Sequence, residues 1–137
     1  MRLKSNQLKS NQYYTMKITV NKNQVANALK NDQYAAWSYA GAMALAEYYE
    51  ELEECIWPPE ELELDVVAIR CEYSEFSSLH DWIIEYYGKS LNDAIKDAGI
   101  DLDGEETEEE REELIRDYIC DHGQLIEFTG GIIVSSF

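Results

Sequence analysis

The 137-residue chain reads as an α+β fold: a small antiparallel or mixed sheet of about four strands, with four to five helices packed on it. Three observations predict it. Several segments repeat apolar residues at steps of three and four, with Ser or Asn before them and Gly or Pro after. One stretch, "ELDVVAIRCEY" at 63–73, is apolar almost without interruption at its centre. The chain closes on two apolar runs around Gly130-Gly131, the pattern of a β-hairpin. The length suits one domain, and a 45% hydrophobic content supplies a core despite the heavy charge.

The elements follow in order. "LKSNQLKSNQ" at 3–12 is a tandem five-residue duplication, polar and without apolar period. It predicts a disordered or loosely attached extension over 1–15, followed by a single acidic α+β domain over 16–137. "MKITV" at Met16–Val20 reads as a short strand. "NKNQVANALKND" reads as a helix capped by Asn21, with Val25, Ala28 and Leu29 on one face. A second helix starts at Ser38. Ala42, Leu45, Tyr49, Leu52 and Ile56 mark its inner face, and Trp57-Pro58-Pro59 ends it. Val66, Val67, Ala68 and Ile69 then predict a central strand covered on both faces. "SSLHDWIIEYYG" and "SLNDAIKDAG" are helices with Ser caps and Gly stops. After a turn at Asp101–Gly104 comes an acidic helix over Glu105–His122, stopped by Gly123.

Charge is divided unevenly along the chain. The first 30 residues carry six basic side chains and no acid; all 28 acids follow, against five bases. Such a field repels phosphates and anionic membranes, which disfavours direct nucleic-acid binding and favours a basic protein partner. No apolar run approaches the length of a membrane span, and no signal-peptide pattern opens the chain, so a cytoplasmic protein is expected.

The acids fall into two ridges. Glu47, Glu50, Glu51 and Glu54 lie opposite the apolar face of the first long helix. Glu106, Glu109, Glu113 and Asp117 lie opposite Leu114, Ile115, Tyr118 and Ile119 on the later one. Neighbours at this spacing are about 5–6 Å apart and cost roughly 0.2–0.5 kcal/mol per like-charged pair. Residues near a helix N-terminus are excused by the macrodipole; Glu113, Asp117 and Glu54 are not. Two readings fit these ridges: a solvated face, or a surface that a basic partner grips as it grips phosphates. Adaptation to high salt is a further explanation of so acidic a chain. Among the aromatics, Tyr48 and Tyr86 are the members of adjacent Tyr pairs expected to point outward, where they can anchor a protein partner.

The chemistry-bearing residues give little support to catalysis. There is no phosphate-binding glycine loop, no HExxH and no nucleophile elbow. Cys55, Cys71 and Cys120 are widely spaced and read as reduced, buried, structural thiols. Cys120 and His122 form a C-x-H unit too small for a zinc site, and His122 is better placed as a C-terminal helix cation. His80-Asp81 suits helix capping more than an acid–base dyad. The acids from Asp101 to Glu106 lack the twelve-residue spacing of a calcium loop. No cofactor, metal or catalytic residue is therefore expected.

"WSYAGAMALAEYYEELEE", "ELDVVAIRCEYSEFSSLHDWIIEYYG" and "LIEFTGGIIVSSF", in that order, resemble a family of short acidic bacteriophage and prophage accessory proteins. The resemblance covers most of 34–137. It implies a phage-encoded, non-enzymatic protein that inhibits host defence, of the anti-CRISPR or anti-restriction kind. Its partner would be a host protein with a basic nucleic-acid-binding surface, such as a CRISPR effector complex, met through the acidic faces. The alternative is a phage regulatory or adaptor module that docks through exposed aromatics, with acidity serving solubility. The "KSNQ" repeat and the acidic 105–113 segment depart from the family pattern.

Overall fold

Caps and stops written into the sequence fix most of the elements. The structure, a computed structural model, describes residues 1–3, 20–56, 62–88 and 90–137. The Met16–Val20 strand, nearly all of the extension and the Trp57-Pro58-Pro59 stop lie outside the described residues, apart from Val20, which is buried. The fold is α+β, with six helices among the described residues. The chain divides into two compact units, Met1–Glu72 and Tyr73–Phe137.

In the first unit, β1 (Arg2–Leu3) pairs in parallel with β2 (Glu63–Leu64), and the Met1 ammonium lies 2.6 Å from the Glu53 carboxylate. Helix α1 (Lys22–Lys30) opens on a capping box: Asn21 accepts from the Gln24 N–H, and the Gln24 side chain accepts from the Asn21 N–H. Helix α2 (Tyr39–Cys55) starts at Ser38, whose hydroxyl accepts from the Gly41 N–H. The two helices pack together, burying Val25, Ala26 and Leu29 on one and Gly41, Ala42, Ala44, Leu45 and Ala46 on the other. Small residues let the backbones approach, so the inner face of α2 is its first half. Leu52, expected on that face, is 36% exposed, and Tyr49 and Ile56 are only half-buried.

The expected central strand over 63–73 is not formed. Val66–Glu72 is a helix, α3, flanked by the short β2 and by β3 (Tyr73–Phe76). Asp65 explains the difference: its carboxylate accepts from the Ala68 N–H at 3.1 Å, and its carbonyl accepts from the Ile69 N–H. That capping starts a helix in spite of the β-branched run. Of the run only Ile69 is fully buried, and Val67 is 52% exposed.

The second unit holds a three-stranded antiparallel sheet in the order β3-β5-β4, with β4 at Leu125–Phe128 and β5 at Gly131–Ser135. The central strand is thus β5, buried from Ile132 to Ser135, and the hairpin turns through Thr129-Gly130. Helix α4 (Leu79–Tyr87) runs from a Ser78 cap to Gly88, whose left-handed φ of 66° ends it. Helix α5 (Leu91–Asp97) has a Ser90 cap. Helix α6 (Glu108–His122) starts later than expected, at a Thr107–Glu110 capping box, and stops at Gly123. One core joins Leu79, Trp82 and Ile83 of α4, Leu91, Ala94 and Ile95 of α5, Ile115 and Ile119 of α6, and Ile132 and Val134 of β5.

A side chain at Gly131 would meet the Phe76 carbonyl oxygen at 2.6 Å. A backbone atom in a paired strand cannot give way. Gly131→Ala should destabilise the chain by about 1–3 kcal/mol, read as a lower urea midpoint.

Candidate acidic docking surface

Helix α6 carries seven acids against two arginines in fifteen residues. Ile115 and Ile119 are fully buried and set its inward side, while Leu114 and Tyr118 are half-buried. The stripe left outside is Glu109, Glu113, Asp117 and Asp121, each exposed and each four residues from the next. Asp121 was missed by the sequence reading, although the same step of four reaches it. The helix is about 22 Å long, so its net charge amounts to about one per 4–5 Å. A single DNA strand carries about one per 3.4 Å of axis.

Glu106 does not belong to this stripe. It precedes the helix, and its carboxylate accepts from the backbone N–H groups of Asp103 at 2.7 Å and Gly104 at 3.0 Å. Those bonds, that from Asp103 foremost, hold its pKa below the ordinary carboxylate value. Asp103 likewise turns back to accept from the Glu105 N–H. Two carboxylates of the would-be calcium loop, Asp103 and Glu106, are therefore spent on their own backbone. Among the described residues, no group of three or more His, Cys, Asp or Glu side chains is placed to hold a metal ion.

One cation serves the stripe from within. The Arg116 guanidinium lies 2.8 Å from Glu127, 3.5 Å from Glu113 and 3.9 Å from Glu112. Partial burial alone would lower its pKa; the Glu127 hydrogen bond and the three carboxylates outweigh that and raise it. The Cys120 thiol reports the field of the same face. Partial burial first, then Asp117, Asp121, Glu127 and Glu113, push it up. All three cysteines are free and exposed, against the expectation of burial. His122 is placed as expected, its Nδ1 on the Tyr118 carbonyl at 2.9 Å in the last turn.

On α2, Glu47, Glu50, Glu51 and Glu54 are all exposed, and Lys22 lies 3.5 Å from Glu47. No basic residue occupies the last turn of α2 to balance the dipole. Tyr48 is half-buried, edge-on to Tyr49 at 5.4 Å, so the outward member of that pair is less exposed than expected. Tyr86 is 51% exposed and stacks on the buried Trp82 at 5.0 Å.

Among the described residues, no helix is long and apolar enough to cross a membrane. Comparison with protein-family models, with curated proteins and with solved structures finds no match.

Three predictions follow from this geometry. Glu113→Gln with Asp117→Asn removes four like-charge pairs (109–113, 110–113, 113–117 and 117–121) and gives up the Glu113–Arg116 ion pair, so it should raise stability by about 0.5–1 kcal/mol in low salt, measured by urea titration. In a Cys55→Ser, Cys71→Ser background, Asp117→Asn with Asp121→Asn should lower the Cys120 pKa. A larger thiolate fraction then forms at pH 8, and alkylation by iodoacetamide should speed up. Glu106 has a depressed folded-state pKa, so its contribution is complete above the ordinary Glu value of about 4.3 and is lost as pH falls through the lower folded value. Carboxyl NMR should show Glu106 titrating below the ordinary Glu value, and Glu106→Gln should abolish that part of the acid dependence.

Proposed function

We propose that the chain is a non-enzymatic docking protein whose acidic α6 face binds a basic protein surface that otherwise holds nucleic acid. The observation that carries this reading is the exposed stripe Glu109–Glu113–Asp117–Asp121. Helix physics does not ask for it beyond the first turn, and it costs stability where it continues. Its charge density approaches that of one nucleic-acid strand. Long-range attraction would speed encounter with a basic channel, and the bound carboxylates would keep the nucleic acid out. The resemblance to short acidic phage proteins makes a host defence complex, a CRISPR effector first, the partner to test.

The test is capture from nuclease-treated bacterial lysate at low and high salt. Wild type is run beside an α6 variant (E109Q, E113Q, D117N, D121N) and an α2 variant (E47Q, E50Q, E51Q, E54Q). Capture of a nucleic-acid-binding complex, its release by salt, and at least a tenfold loss in the α6 variant are expected. Equal capture by wild type and the α6 variant would show that stripe to be a solvated face.

A further inference from the structure

The carboxylate stripe of α6 borders a row of aromatic rings. Tyr118 and His122 follow Asp117 and Asp121 directly, so they form the adjacent row on the helix surface, with ring centroids 4.2 Å apart. Phe137 lies 5.7 Å from His122 and 5.7 Å from Tyr86, and Tyr86 rests on Trp82. The rings make one continuous strip across α6, the C-terminal residue and α4, and Tyr86 and Phe137 remain 51% and 40% exposed. Glu85, exposed, adjoins Tyr86 in the chain.

The first unit shows what a carboxylate beside an open tyrosine does in this protein. The Arg70 guanidinium lies 5.1 Å from the centre of the Tyr34 ring and 3.6 Å from Asp32, and Tyr34 is otherwise 75% exposed. Acid and ring stand next to each other again on α6, at Asp117-Tyr118 and Asp121-His122. A guanidinium can lie flat on a ring while donating to a carboxylate; an ammonium is a more strongly hydrated point charge without that planar fit.

Resting on the docking function proposed above, we propose that the Tyr86–Phe137–His122–Tyr118 strip, with Asp117 and Asp121 beside it, receives arginine side chains of the basic partner. The surface would thus select arginine-bearing segments over lysine-bearing ones of equal charge.

Octa-arginine and octa-lysine peptides test this by calorimetric titration of the full chain at about 150 mM salt. Cation–π contacts on two exposed rings should make the arginine peptide about fivefold tighter. Tyr86→Leu with Phe137→Leu should bring the two affinities together, with folding checked by circular dichroism. Equal affinities for wild type would overturn this inference and leave the acidic docking face standing. Failure of both peptides to bind would overturn both. An arginine preference that survives in the folded double variant would remove the strip from the role. If the double variant does not fold, the wild-type comparison decides alone.

Discussion

The outward face of α6 is determined by two side chains that point the other way. Ile115 and Ile119 are fully buried with residues of α4, α5 and β5. Burying each stabilises the fold by roughly 1.5–3 kcal/mol, far more than any one surface charge can oppose. Once these two are fixed, the 3.6-residue period decides the rest: Glu109, Glu113, Asp117 and Asp121 must face away, and Tyr118 and His122 must lie along their edge. A polar substitution at either isoleucine would weaken the packing that sets this orientation.

The helix tolerates its charge because the cost is met locally. Thr107 and Glu110 cap each other's backbone N–H groups, and Glu108, Glu109 and Glu110 sit where the dipole favours anions. Farther along, that support is gone. There Arg116 spreads over Glu112, Glu113 and Glu127, tying α6 to β4 while drawing charge from only one flank. Asp117 and Asp121 lie in the last two turns, where the dipole opposes them. Their persistence there is the part of the acidity that the fold itself does not account for.

Much of the fold was legible because caps and stops are local. Asn21, Ser38, Ser78 and Ser90 act as N-caps, and Gly88 and Gly123 end their helices, each as its neighbours in sequence indicate. The hairpin was legible for the same reason, although it turns through Thr129-Gly130, one residue before the expected Gly130-Gly131. The failures came where burial decides. Val66–Ile69 has the composition of a central strand, yet one aspartate at its head makes it a helix, and β5 takes the central place. On α2, position along the helix mattered as well as hydropathy: Gly41, Ala42, Ala44, Leu45 and Ala46 in its first half are buried, and Leu52 in its second half is not. Of the candidate site, the exposed carboxylates of both helices were readable from period alone. The loop role of Glu106 was not, because it depends on where Thr107 starts the helix. The aromatic strip was not either, because Tyr86, Tyr118 and Phe137 are distant in sequence and Phe137 joins the other two rings only in the folded chain.

Acids and rings on one surface divide the work of recognition by range. Carboxylates act over a Debye length, about 8–10 Å in physiological salt, but respond to any cation. Rings act only in contact, yet distinguish a planar guanidinium from an ammonium. An acidic face alone would be drawn to every basic protein in a cell. In the proposed docking role, setting Tyr118 and His122 one row from Asp117 and Asp121 would let a single helix carry both functions, and the stack of Tyr86 on Trp82 would extend the contact row without further helical surface. The sulfur and imidazole of Cys120 and His122, which the sequence places two residues apart like a metal pair, fall instead on either side of this boundary. One lies within the field of the acids, and the other belongs to the aromatic row.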